Sequence, residues 1–212
     1  MVTAAAAVRA HTERVADRRI PGILLFILAG QFMTAIMLAA SMAPGYDLNS
    51  TAISDLGVIP ETALLFNASL VAVGVLNIAG GYAFHRAHGR GWVLALYLVA
   101  GLGALGAGLV PLNTSGLHGL FALFAFLFFN LQAIASGTLV GGPMRVVSIL
   151  AGVVGLAFVA LMVIGDAGNP AVFGAMGHGG AERMIVYPPM LWMLAFGGYL
   201  MASRQGDSPG RG

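Results

Sequence analysis

The sequence predicts an all-α polytopic membrane protein, a six-transmembrane-helix bundle with both termini in the cytoplasm (N-in/C-in). Three observations carry this. Hydrophobic residues make up 58% of the 212-residue chain and charged residues only 8%, where a soluble domain has about a quarter charged residues. The mean hydropathy is +0.89, and apolar runs of bilayer-spanning length, about 20 residues each, recur along the chain. The arginines gather in alternate connections between those runs, as cytoplasmic loops do under the positive-inside rule.

The elements follow in order. Residues 1–19, MVTAAAAVRAHTERVADRR, are polar for too long to be the start of a signal peptide, and no small-residue cleavage site follows the apolar run. They are expected to be a cytoplasmic N-terminal extension with the makings of a short interfacial helix. The transmembrane domain occupies 20–202, with spans at 20–42, 61–84, 92–110, 117–140, 146–166 and 183–202. The tail, 203–212, reads SRQGDSPGRG and is expected to be disordered and cytoplasmic. Gly-rich stretches in the third and fifth spans, GLGALGAGL and AGVVGLA, suit close helix packing.

All ten basic residues are arginine. Arg9, Arg14, Arg18 and Arg19 precede the first span, and Arg86 and Arg90 fill the second-to-third link beside His85 and His88. Arg145 lies between spans four and five, and Arg204 and Arg211 follow the sixth. Nine of the ten are therefore assigned to the cytoplasm. The two link histidines join arginines suited to anionic headgroups. Arg183 is the exception. It shares the opposite side with Asp47, Asp55, Glu61, Asp166 and Glu182, five of the chain's eight acids.

Ionisable residues near a bilayer tend to face the bundle interior or a wet cavity, and three groups qualify. The half-apolar loop NSTAISDLGVIP (49–60) should hold a short helix capped by Asn49, Ser50 or Ser54 and ended by Gly57 and Pro60. Asp55 would then be partly desolvated, as an acid, base or cation ligand or simply as a cap. In PLNTSGLHG (111–119), Thr114 or Ser115 can cap the fourth span and place His118 in its first turn. A neutral imidazole there is a proton acceptor or, more plainly, a satisfied hydrogen-bonder. Asn113 lies in the same segment.

The third group is HGGAERMIVYPPMLW (178–192), with Glu182 and Arg183 in the first turn of the sixth span and Tyr187 on the face of Arg183. An arginine at the positive end of a helix dipole needs an anionic companion. Asp55, Asp166, Glu182 and a ligand phosphate or carboxylate all qualify. Pro188 and Pro189 free the carbonyls of Met184 and Ile185, which need partners at membrane depth.

The deeper polar residues are neutral: Gln31, Thr34, Asn67, Asn77, Asn130 and Gln132. Asn67, Gly74, Asn77 and Gly81 share a helical stripe that can line a cavity base or make interhelical bonds. A midspan carboxylate, which an ion-driven pump normally needs, is missing. With no cysteine, disulfides and thiolate chemistry are excluded. Phosphate-loop, GxSxG, HExxH and dinucleotide-binding motifs are absent from the sequence.

The run ISDLG before an Asn-bearing span, the P-x-N…HG segment and the final ER-x-x-x-YP-x-x-x-W resemble an uncharacterised prokaryotic six-span family, domain of unknown function 998. The resemblance spans roughly residues 20–202. It is carried by Ser54, Asp55, Leu56, Gly57, Asn67, His118, Gly119, Glu182, Arg183, Tyr187, Pro188 and Trp192. It implies the architecture and no activity.

The functional expectation is an extracytoplasmic polar pocket, in the inner (plasma) membrane of a bacterium, that binds or modifies an amphipathic lipid or isoprenoid. Asp55, His118 and Glu182 would be the acid–base set, and Ser54, Asn67, Asn113, Arg183 and Tyr187 would bind the ligand, Arg183 holding an anionic headgroup. No cofactor is expected. In one variant Asp55, His118 and His178 hold zinc; in another Asp55 protonates an isoprenoid. The alternative is a non-enzymatic component, such as a small-solute carrier, accessory subunit or lipid-organising protein, whose polar cluster is structural. The expected partners are membrane lipids, with no nucleic acid and a monomeric or homodimeric state.

Overall fold

The computed structural model describes the backbone of residues 4–202 and the side chains of residues 19–202. Among the described residues six helices are long and apolar enough to cross a membrane, and none of the backbone is strand. They are α1 (Ala4–Met42), α2 (Ala63–His88), α3 (Gly91–Leu109), α4 (Leu117–Gly137), α5 (Gly142–Asp166) and α6 (Gly177–Ala202). The all-helical six-span architecture expected from the sequence is the one found. The tail expected to be disordered lies outside the described residues.

The first span begins at Arg19, close to the expected boundary. The described part of the N-terminal extension runs straight into it, so the two form one 39-residue helix. The extension is rich in alanine and arginine, good helix formers. α6 starts at Gly177, six residues before the expected boundary at 183. Its glycines and histidine read as loop by propensity, and tertiary packing overrides that weak prior. Glu182 and Arg183 therefore stand well inside the helix rather than in its first turn.

Each helix packs on its neighbour in sequence, and α6 returns to α1, so the six close into a ring; α6 also touches α4 across it. Residues 43–62, 110–116 and 167–176 connect the helices at the end of the ring away from Arg19. That end is called the capped end below. Lipid tails are as apolar as the helices, so the ring is held by close packing and buried hydrogen bonds. Gly74 of α2 meets α3 backbone to backbone: a Cβ there would lie 2.6 Å from the Gly101 carbonyl oxygen.

Polar residues inside the ring largely satisfy one another. Asn77 Nδ2 donates to Gln132 Oε1 at 3.1 Å and to the Tyr97 carbonyl at 2.8 Å, and Gln132 Nε2 returns a bond to Asn77 Oδ1 at 3.0 Å. Ser69 Oγ donates to Gln31 Oε1, and Trp192 Nε1 to Ser148 Oγ, both at 2.7 Å. The Gly74, Asn77 and Gly81 stripe thus packs on α3. Asn130 answers the question raised by the prolines. Its Nδ2 donates at 3.2 Å to the Ile185 carbonyl, the acceptor that Pro189 leaves free.

Candidate functional site

The capped end is built around the first connection. Asp47 Oδ1 accepts the backbone N–H groups of Asn49 (2.7 Å) and Ser50 (2.9 Å), and Thr51 N–H donates to the Asp47 carbonyl at 2.8 Å. These bonds from Ser50 and Asn49 hold the Asp47 carboxyl below its usual pKa. The single turn so formed aims the carbonyls of Leu48, Asn49 and Thr51 at the start of α6. Contact there is close: a Cβ on Gly179 would sit 2.2 Å from the Thr51 oxygen. Gly180 N–H donates to the Asn49 carbonyl at 3.1 Å.

Next along the chain is the expected short helix, a 3₁₀ turn over Ile53–Gly57. Of the two expected roles for Asp55 the turn shows the cap: Asp55 Oδ2 accepts the Ala52 N–H at 2.9 Å, so the carboxylate caps its own turn in place of Asn49, Ser50 or Ser54. Thr62 Oγ1 donates to the Leu56 carbonyl and Asn67 Nδ2 to the Gly57 carbonyl, each at 2.8 Å, fixing the turn over the mouth of the ring.

Arg183 pins the first connection down. It is 8% exposed. Its Nη1 donates to the carbonyls of Leu48 (2.8 Å), Thr51 (3.1 Å) and Gly179 (2.8 Å), and its Nη2 to the Tyr46 hydroxyl at 2.7 Å. The guanidinium also lies 5.6 Å from the centre of the Tyr46 ring. Burial holds the Tyr46 phenol above its usual pKa, consistent with the hydroxyl donating onward to the Ala52 carbonyl at 2.8 Å.

The anionic companion expected for Arg183 is thus replaced by converging carbonyl dipoles. Among the described residues its side chain makes no carboxylate contact within salt-bridge distance. Its aromatic partner is Tyr46, not Tyr187.

Glu182, beside it in sequence, faces another way, because consecutive helical residues point about 100° apart. It is 3% exposed. Its carboxylate accepts the Ile53 N–H and, at 2.8 Å, the Ser54 hydroxyl, tying α6 to the 3₁₀ turn. His118, 4% exposed, lies in the first turn of α4, and its Nδ1–H donates to the Val110 carbonyl at 2.8 Å. A carbonyl can only accept, so this bond fixes the ring's orientation and leaves Nε2 without a partner among the described residues.

Ser54, His118 and Glu182 stand where two cavities adjoin. One is a narrow shaft of about 60 Å³ running into the ring between Phe32, Phe66, Phe129 and Met190. The other is a cleft of about 500 Å³ between α4 and α5, walled by Leu123, Val159, Met162 and Val163. The three polar residues line both, as do Ala122, Phe126 and Ile185. The cleft has the volume of an ordinary small-molecule site, about 300–1,000 Å³, whereas the shaft has room for only about four to six water-sized groups. Leu123 and Val163 are exposed on its walls, so the cleft opens sideways between the two helices.

Other expected site residues are dispersed. Asp55 reaches the cleft rim. Asn67 touches the 3₁₀ turn but neither cavity, and its Oδ1 is buried without a partner. Asn113 is exposed and lines neither cavity. Tyr187 packs half-buried on the hydrophobic core. His178 pairs with Asp166 at 3.2 Å on the outer rim of the cleft. Among the described residues no three His, Asp or Glu side chains converge well enough to hold a metal, so Asp55, His118 and His178 do not form the zinc variant's triad.

Sequence reasoning missed Tyr46, Ala122 and Phe126. For Phe126 no signal was present, since apolar residues crowd all sides of α4. For Tyr46 the signal was faint: an aromatic on a loop whose charged residues are all acids.

A family model described as Protein of unknown function (DUF998) matches residues 4–199. No curated protein and no solved structure matches the chain.

Proposed function

The chain belongs to the DUF998 family of unknown function, and from its capped end we propose that this multi-pass membrane protein binds an amphipathic lipid or isoprenoid at the Ser54–His118–Glu182 junction. The polar end of the ligand meets the junction and its apolar part lies along the α4/α5 cleft. The carrying observation is the uncommitted Nε2 of a buried histidine between two adjoining cavities whose walls are otherwise largely apolar. His118 can accept a proton from a ligand hydroxyl or ammonium, or donate one to it, with Glu182 and Ser54 as the nearby polar groups.

The positive-inside rule supports an orientation with both termini in the cytoplasm of a cell with one plasma or inner membrane. Arg19, Arg86, Arg90 and Arg145 lie at one end of the ring and Arg183 at the other. The cleft then opens to the outer leaflet. Arg183 is not part of the ligand site in this reading, because its donors are spent on the first connection.

A second reading is supported by the partners just described. Asp55, Glu182 and Arg183 each bond to protein groups, as in a non-enzymatic component whose polar cluster locks its loops. Mass spectrometry of protein released from native membranes separates the two. The ligand reading expects a co-purifying amphiphile that is lost from His118→Ala and from the cleft-filling Ala122→Trp, while both variants remain folded. A wild-type protein carrying only bulk membrane lipid, in the proportions of its two variants, favours the lock.

A further inference from the structure

The charge around the cleft has a consequence for the kind of headgroup it accepts. Asp55, Asp166 and Glu182 line it, and among the described residues its only side chains able to carry positive charge are the imidazoles of His118 and His178. His178 is already opposite Asp166. The nearest arginine in sequence, Arg183, lines neither cavity and is turned into the carbonyls of the first connection. Three carboxylates alone would be no site. The second observation is the His118 ring, 4% exposed and lining the same cleft, with Nδ1 committed to Val110 and Nε2 unpartnered.

Resting on the lipid-site reading above, we propose that the cleft selects amphiphiles with a cationic headgroup and discriminates against anionic ones. An ammonium at the junction sits beside Glu182 and within the field of Asp55 and Asp166 on the cleft rim, its alkyl chain runs between Leu123 and Val163, and the His118 Nε2 lone pair accepts one of its N–H groups. A phosphate or carboxylate in the same place meets like charge and finds no guanidinium. This reverses the selectivity that the arginine suggests from sequence, because the fold spends that arginine on structure.

Glu182 is buried on Ile53 and Ser54, so the selectivity rests mainly on Asp55 and Asp166. Their part-exposed ion pairs contribute modestly each and predict a preference for cation over anion of up to about tenfold. The preference should shrink as salt rises, since part-exposed charges are screened.

The test uses full-length protein in maltoside micelles and equilibrium binding of radiolabelled dodecyltrimethylammonium, dodecylamine and dodecyl phosphate. The expected result is saturable binding of both cations up to about tenfold tighter than the phosphate. The preference should fall in Asp166→Asn and Asp55→Asn, which keep shape and hydrogen-bonding capacity, and fall in the wild type at high salt. Dodecylamine, which has N–H groups, should lose more affinity on His118→Ala than dodecyltrimethylammonium, which has none. Saturable binding that Ala122→Trp abolishes, but with the phosphate equal to or tighter than the cations, overturns the charge selectivity and leaves the lipid site standing. No saturable binding of any of the three overturns both.

Discussion

Removing the guanidinium of Arg183 should loosen the whole capped end. In Arg183→Met the side chain keeps its approximate length and apolar stem but donates nothing. The Gly179 carbonyl remains within the α6 helix, and the Tyr46 hydroxyl keeps its bond to Ala52. The carbonyls of Leu48 and Thr51 lose the Nη1 donor. An orphaned buried acceptor costs about 1–3 kcal/mol, and these two are part-buried, so about 2–6 kcal/mol is the upper range for the pair. Part is returned, because the charge and the unpartnered Nε no longer have to be buried.

A net loss of about 3 kcal/mol follows, or a fall of about 6–12 °C in the melting temperature of a chain this long. Thermal unfolding of detergent-purified protein, read by the fluorescence of the buried Trp192, measures it. Arg183→Lys, a single point of charge without the fork, should fall between. A double-mutant cycle with Tyr46→Phe should return about 1 kcal/mol of coupling through the Nη2 bond. A melting point for Arg183→Met within about 2 °C of wild type would refute the pin. So would normal stability combined with lost ligand binding, which would return the arginine to the binding site.

Other consequences are smaller in scope. Gly179→Ala places a methyl 2.2 Å from the Thr51 oxygen and should cost about 1–3 kcal/mol by forcing the first connection off α6, visible as faster hydrogen exchange across residues 47–57. Asn130→Ala should destabilise by about 1–3 kcal/mol, and by clearly less in a Pro189→Ala background, where a restored helical N–H can serve the Ile185 carbonyl; equal costs in both backgrounds would break that link. Asn77→Ala strands a buried Gln132 amide and should cost about 1–3 kcal/mol, while Asn77→Leu with Gln132→Leu should recover much of the loss.

Much of the fold was legible because its causes are local. Apolar run length set the spans, and the Asn49–Pro60 segment announced a short helix through its turn formers. Pro189 announced a carbonyl in need of a donor, and Asn130 was already marked as a deep polar residue. What stayed hidden depends on the path of the backbone. The partners of Arg183 are carbonyls whose directions are set by the turn at Asp47, and no side-chain pattern encodes them. The early start of α6 was masked by glycines that look like loop but are needed where Gly179 meets Thr51. Ser54, His118 and Glu182 were each visible singly. Their meeting at two cavities rests on the ring bringing α4 and α6 within contact across its centre.

The most direct test of the account is whether a ligand covers the junction. The sequence has no cysteine, so Ala122→Cys places a single thiol where the cleft meets the shaft. Its labelling by a small maleimide can be followed by intact mass in protein from native membranes, before and after delipidation. Slow labelling before delipidation, fast labelling after, and protection restored by the membrane's lipid extract are the predicted results, with no change at Asn113→Cys, which is exposed in the 110–116 connection and lines neither cavity. Equal labelling rates at position 122 in all three states would contradict an amphiphile at Ser54, His118 and Glu182.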